Sequence, residues 1–430
     1  MLRTLLILLA SSSLLSSVLV TPVARATQPV TPVSDSQCVC GPKRVTVLLF
    51  DFADVTHAKG STLEYYAGIV REMNASYYRQ SYGKMWIVGG EIYGWYSTSL
   101  RLSELKVTTW YIQYADADKL ERLATQKAGE LHISGYVFAV FAGPVWAWAT
   151  GHPSFLSVVG ETRWDKSGFL HEFGHNLGLP DLYNYENLNA EPVGQWDLMD
   201  QGEEELSAWS RVKLGWIAAD SVVTIDTSRT HALATVLVSP LDEPNGIREL
   251  RVQVYGTNAF FLAENRQGTE TGPAGYGRIR LIIYYIQGSI ESGKGSIVVM
   301  ANLSLEGNAV YVGAKADFAF VLLNVQPDGL KIQITTKTNG EIAQRTVESL
   351  RSANVSVVTA WGDNRLEGFS EAQRELNKAW EAYENADFDS ATSLAGKATE
   401  LAQLAKVPQS YTQFEELRPN LAAQLLRRNA

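Results

Sequence analysis

Two histidines, His171 and His175, stand four residues apart in HEFGHNLGLPD, with Glu172 beside the first and Asp181 six residues beyond the second. On a helix, side chains four apart lie one turn apart on one face, so both imidazoles reach a single ion. Glu172 is turned to the flank, poorly placed as a further ligand of that ion. It is well placed to take a proton from a water held there, as a general base must. Gly178 can adopt the positive φ that ends a helix and turns the chain back, and Pro180 bars helical continuation. Asp181 is thereby brought to where its carboxylate completes three protein ligands and leaves a fourth position open, the arrangement of a catalytic zinc. An amphipathic helix capped by glycine also accounts for Gly178 and Pro180. It gives no reason for an apolar run, GFLHEFGHNLGL, to carry three ionisable groups that are costly to bury unpaired. His57, His132, His152 and His231 lack ligand spacing and read as surface or core residues.

The elements that must position this stretch alternate before it. RVTVLLFDF (44–52) is a buried strand, 61–83 carries apolar residues at helical spacing, MWIVGGEIYGWY (85–96) returns to strand, a second helix falls within 106–131, and GYVFAVFAG (135–143) is another buried strand. This β-α-β-α-β order predicts a layered domain of helices and sheet over 44–219. From 220 to 338 helical periodicity is missing. Six short strands, at 248–255, 259–266, 277–286, 295–303, 318–325 and 330–337, predict a β-sandwich-like domain. Over 339–430 the chain is helical. Leu376, Ala379, Trp380 and Tyr383 mark one stripe and Leu394, Ala395, Ala398 and Leu401 another, a hairpin of the tetratricopeptide sort that a single unit cannot bury by itself. It is expected to pack on the chain's own domains or on a cell-surface partner. The fold class predicted is α+β.

With 430 residues, 46% of them hydrophobic, the chain supports a large core and more than one domain. A net charge of -9 without a basic block argues against nucleic acid as a partner. Residues 1–26 combine Arg3, an apolar run from Leu5 to Val20 and small residues at Ala24 and Ala26, which reads as a cleaved export signal. No later segment is apolar for long enough to span a bilayer, so a secreted protein with no transmembrane segment in its mature form is expected. Residues 27–43 form a short lead segment. It holds the only two cysteines, Cys38 and Cys40, open to three readings: a thiolate placed on the zinc in a latent form, a disulfide to another chain, or two free thiols. A bond between the two looks sterically strained.

The pattern His171, Glu172, His175, Gly178, Asp181 is similar to the metzincin zinc motif with aspartate in place of the usual third histidine. The wider context, GFLHEFGHNLGLPDLY followed by GQWDLMDQG and LSAWSRVKLGW, resembles the immune inhibitor A family of secreted metallopeptidases. VLLFDFAD, YYRQSYGKMWIVGGEIYGWY, FFLAENRQG and GYGRIRLIIYYI extend that likeness over about 44–337. The resemblance implies a metzincin-like catalytic domain and an endopeptidase acting on protein or peptide. It implies zinc on His171, His175 and Asp181, Glu172 as acid and base toward a zinc-bound water, and Met199 in a supporting Met-turn. Gln201 stands where some relatives carry a tyrosine two residues after that methionine, and Tyr183 is the candidate substitute as oxyanion donor. The resemblance allows calcium on the acidic groups Asp197, Asp200, Glu203, Glu204, Glu205, Asp51 and Asp54, whose spacing also suits a solvated acidic loop. The rival function is a non-catalytic zinc-containing surface binding protein that keeps the fold.

Overall fold

The computed structural model describes residues 38–105, 114–151, 153–162, 165–226, 234–266, 279–313 and 317–409. The export segment 1–26, most of the lead segment, His152 and His231 lie outside the described residues.

In chain order the first elements are β1 (Gly41–Asp51), α1 (Leu63–Gln80), β2 (Met85–Ser97), α2 (Tyr114–Glu130), β3 (Tyr136–Phe141), β4 (Trp148–Ala149), β5 (Leu156–Gly160), α3 (Lys166–Leu177) and α4 (Ala208–Lys213). Five strands make one sheet in the order β2-β1-β3-β5-β4, parallel except for β4 on the edge. The β-branched and aromatic run of β1 is buried throughout its second half, as expected of a central parallel strand covered on both faces. Thr62 caps α1 by accepting from the Tyr65 amide, and the stripe Tyr66, Ile69, Val70, Met73 and Tyr77 is buried. Each such side chain contributes about 1.5–3 kcal/mol by leaving water. Alternation over 44–143 therefore matches the fold, whereas β4 and β5 are additions to it. Two and five residues are too few to reveal a period against the helix that follows.

Beyond α4 the chain continues as β6 (Val222–Asp226), β7 (Ala234–Val238), β8 (Glu249–Gln253), β9 (Phe260–Arg266), β10 (Arg280–Ile286), β11 (Ile297–Leu303), β12 (Val310–Val312), β13 (Phe318–Gln326) and β14 (Gly329–Thr336). They form two sheets, β11-β10-β9-β8-β6 and β12-β13-β14-β7. Strand alternation splits the first between two cores. Phe261, Ala263, Leu281 and Ile283 meet Phe318, Phe320, Leu322 and Ile332 of the second sheet, with the Phe261 and Phe318 rings edge to face at 5.3 Å. Leu262, Ile282, Tyr284 and Ile286 instead join α3, Met199 and Trp216. The five-stranded sheet thus serves as one wall of the core beneath the histidine helix.

Three helices end the described chain: α5 (Lys337–Gly362), α6 (Phe369–Glu384) and α7 (Phe388–Leu404). The hairpin expected from its stripes is α6 and α7. It packs on its own chain, where the Tyr383 hydroxyl donates to the Leu322 carbonyl at 3.0 Å and Lys331 donates to the Glu384 carbonyl at 2.7 Å. The helix α5 stands outside that hairpin and has no counterpart among the expected stripes. Its buried face is Gly340, Ala343, Thr346, Val347, Leu350, Ala353, Val357 and Ala360, mostly small residues that admit close packing but leave a faint apolar stripe. The class is α+β, with several sheets and seven α-helices among the described residues, none of them long and apolar enough to cross a membrane.

Candidate metal centre

Helix α3 begins at Asp165, whose carboxylate accepts from the Ser167 amide at 2.9 Å, and it is buried over almost its whole length. Three contacts fix it from outside. The Tyr77 hydroxyl of α1 donates to the Leu170 carbonyl at 2.7 Å, Asn176 donates to Ser154 at 2.7 Å, and Ser157 donates to Asn176 at 3.0 Å. The helix ends at Gly178, with φ of 105°, a conformation open to glycine at little cost. The Leu179 amide then bonds back to Gly174 at 3.0 Å and the chain reverses toward His171.

That reversal brings Asp181 to the histidines. Its Oδ1 lies 3.0 Å from Nε2 of His171 and 3.2 Å from Nε2 of His175, and the two imidazoles stand at 89° to each other. One ligating atom from each of the three residues falls within 4.8 Å of the others, the only such grouping among the described residues. Donors on a tetrahedral zinc, with bonds near 2.1 Å, lie roughly 3.4 Å apart, so this set fits the ion. The far side of each ring is occupied. His171 Nδ1 donates to the Leu198 carbonyl and His175 Nδ1 to the Leu179 carbonyl, each at 2.8 Å. A carbonyl only accepts, which puts a proton on each Nδ1; each Nε2 faces Asp181 Oδ1 and is the atom that would ligate an ion in place of the proton it shares with that carboxylate.

Electrostatics follow from this packing. Burial opposes charge on Asp181, yet hydrogen bonds from both imidazoles hold its carboxyl well below the usual range. Burial likewise opposes a charged His171, and the Asp181 carboxylate more than reverses it, to about 9. Glu172 is 5% exposed, and its Oε2 is buried without a hydrogen-bond partner. Burial raises its pKa, with the two histidines pulling the other way. Glu172 thus leaves one buried acceptor open beside the three convergent groups, the kind of orphaned polar atom that calls for a partner.

Met199 is fully buried, and its sulfur occupies the space where a side chain at Gly174 would begin, 2.5 Å from an ideal Cβ. This explains the glycine inside HEFGH: the helix lies directly on the methionine. The turn that carries Met199 also presents Leu198 to His171, and Asp197 shapes it by accepting from the amides of Met199 (2.8 Å) and Ser207 (2.9 Å) and from the Ser210 hydroxyl (2.6 Å). The Tyr183 ring lies 6.3 Å from that of His171, and burial keeps its phenol protonated. Tyr185, which sequence reasoning does not single out, donates its hydroxyl to Asp181 Oδ2 at 2.5 Å. The two carbonyls and Tyr185 carry no motif of their own. Their nearness in sequence to His175, Met199 and Asp181 is the one signal that could draw attention to them.

The other candidates go elsewhere. Asp200 accepts from the amides of Val193 and Gly194, Asp54 from those of Leu102 and Ser103, and Asp51 pairs with His57 at 3.0 Å. Glu204 and Glu205 pair with Arg79, Lys166 and Arg211. Of the acidic groups weighed for calcium, Asp197, Asp200, Asp54, Asp51, Glu204 and Glu205 thus each have a protein partner of their own. Cys38 and Cys40 are bonded to each other, contrary to all three expected readings. Val39 between them is tied to Leu214 and Trp216, at 2.9 and 3.1 Å, and the grouping of possible ligand atoms is His171, His175 and Asp181, without either sulfur.

Residues 165–211 match the immune inhibitor A peptidase M6 catalytic domain. The resemblance to that family is shown on this span, from the cap of α3 to Arg211 in α4, and it supports a metallopeptidase. It includes His171, Glu172, His175, Asp181 and Met199. Among curated proteins nothing matches. Among solved structures, a chaperone-substrate complex is 18% identical over 39% of this chain and 29% of that one, with a TM-score of 0.27. OgpA from Akkermansia muciniphila is 12% identical over 61% of this chain and 92% of that one, with a TM-score of 0.29. Catalytic inactive OgpA in complex with an O-glycopeptide, glycodrosocin, is 10% identical over 61% of this chain and 92% of that one, with a TM-score of 0.27. The chain spans less than a third of the first of these, and likenesses this slight inform neither fold nor chemistry.

Proposed function

We propose that the chain is a secreted zinc-dependent endopeptidase, with 44–219 as its catalytic region. The carrying observation is the buried, partnerless Oε2 of Glu172 beside the His171, His175 and Asp181 donors, within the segment that matches the metallopeptidase family. Zinc at these donors would supply a Lewis acid that brings the pKa of water to about 7 and polarises a peptide carbonyl. The chain's own groups do the rest. His171 and His175, locked by the Leu198 and Leu179 carbonyls, keep both Nε2 atoms in place without reorganisation. Glu172, whose carboxylate burial makes more basic, accepts a proton from the attacking water and returns it to the leaving amine. Tyr183, held as a neutral phenol, is the donor proposed for the oxyanion. Secretion rests on the sequence of residues 1–26.

Glu172→Gln tests the assignment. Elemental analysis should find zinc retained, while casein hydrolysis falls by about 10²–10⁴-fold, the usual worth of a general acid–base group. Hydrolysis by the parent should vanish with 1,10-phenanthroline. A Glu172→Gln protein that cleaves casein at the parent's rate sinks the mechanism.

A further inference from the structure

The short turn between β10 and β11 reaches back over the metal centre. The Asp181 amide donates to the Ser292 hydroxyl at 3.0 Å, and the Gly293 amide donates to the Asp181 carbonyl at 3.1 Å. The Ser292 hydroxyl also lies within donating reach of Asp181 Oδ2, at 3.4 Å, and equally close to the Tyr185 hydroxyl. The Tyr185 hydroxyl reaches the same oxygen at 2.5 Å. Asp181 is therefore divided: Oδ1 faces the two Nε2 atoms, and Oδ2 is held by two hydroxyls.

The turn is built for this contact. Gly293 accepts from the Tyr185 amide at 2.9 Å, and a Cβ on Gly293 would lie 2.2 Å from the Tyr185 ring, so only glycine lets the ring lie flat on the turn. Lys294 bridges to Asn184 through the backbone and pairs with Glu186 at 3.0 Å.

We propose that Ser292 and Tyr185 are positioning residues for the third ligand: the turn from the β-rich region, across 111 residues of chain, fixes Asp181 in a one-oxygen orientation toward the ion. The inference rests on the metal site proposed above. Two hydroxyls on Oδ2 withhold that oxygen from the ion and hold the carboxylate plane, so Asp181 need not be ordered when metal arrives. Partners of this kind typically change metal affinity by about 10–100-fold.

The experiment measures zinc affinity of the full chain by competition with a chromogenic chelator, with zinc alone as the probe. The proteins compared are the parent, Ser292→Ala, Ser292→Thr, Tyr185→Phe and the double variant that combines Ser292→Ala with Tyr185→Phe. Ser292→Ala and Tyr185→Phe should each bind zinc about 10-fold more weakly and the double variant more weakly still, while Ser292→Thr, which keeps the hydroxyl, recovers parental affinity. Melting of the metal-free forms separates positioning from general damage. A merely structural role lowers the metal-free Tm and leaves the rise on adding zinc unchanged, whereas positioning shrinks that rise. Affinities within twofold of the parent, or an unchanged zinc-induced rise, overturn the proposal while leaving the metal site intact. A parent that binds no zinc overturns both readings.

Discussion

Gly174→Ala tests whether the methionine beneath α3 sets the helix position. Alanine is ordinarily the better helix former by about 0.5–1 kcal/mol, so on propensity alone the change should stabilise. Here an ideal Cβ would lie 2.5 Å from the Met199 sulfur, 3.4 Å from its Cε and 3.5 Å from the Tyr77 oxygen. Carbon contacts are most favourable at about 3.5–4.0 Å, so the overlap with sulfur is on the order of 1 Å in a site with no solvent exposure. Overpacking of this kind costs about 1–3 kcal/mol. The clash outweighs the helix propensity, and Gly174→Ala should lose about 0.5–2 kcal/mol. Met199→Ala opens a cavity and should lose about 2–5 kcal/mol by itself. In that background the clash is gone, and Gly174→Ala should become stabilising by its helix propensity. The predicted coupling is therefore about 1–3 kcal/mol, well beyond the roughly 0.3–0.5 kcal/mol within which independent sites add. Urea unfolding of the four proteins in a chelating buffer measures it without a metal contribution. The reasoning is refuted if Gly174→Ala stabilises the parent as much as it stabilises the Met199→Ala protein.

Two further outcomes follow from buried carboxylates. Glu264 of β9 accepts from the Ala208 amide at the start of α4, from the Tyr284 hydroxyl and from Arg266, at 2.5, 2.6 and 2.6 Å. Glu264→Gln strips the Arg266 guanidinium of this buried counter-charge and should cost about 3–5 kcal/mol in urea unfolding; a loss below about 1 kcal/mol would show that Arg266 is satisfied by its carbonyl contacts alone. Asp200 is pushed up to about 6 from 3.8, mainly by burial, against the two amides it accepts from. Its ionisation then opposes folding: nothing is lost below pH 3.8, stability declines as pH rises from 3.8 to about 6, and the penalty is constant above. Asp200→Asn, which keeps an acceptor for Val193 and Gly194, should gain on the parent across that interval and hold the gain to about pH 7. A pH-independent difference would contradict the burial argument.

What can be read in the chain by itself is local. His171 and His175 at one-turn spacing, the positive φ of Gly178 and the break at Pro180 are dictated within eleven residues, and sequence alone brings Asp181 back to the histidines. The pairing of the cysteines is not legible in this way: the readings from sequence turn outward to zinc, to another chain or to free thiols, whereas the two sulfurs bond to each other. Short elements such as β4 and β5, and a helix such as α5 whose buried face is largely alanine, glycine and threonine, escape because a period needs length or bulk to register.

The greater omission has a different cause. The strands β9 and β10 alternate in the ordinary way, and alternation tells which residues share a face but never what that face meets. Leu262, Ile282 and Tyr284 read as one side of a sandwich strand, yet they complete the core that holds Phe173 and Met199. Once that face lies against the histidine helix, Glu264 is set at the start of α4 and the β10–β11 turn is carried to Asp181. A sequence boundary drawn near 220 follows the change of period, from helical to alternating. The packing follows apolar area, and the side of the sheet that faces α3 belongs energetically to the metal centre it supports.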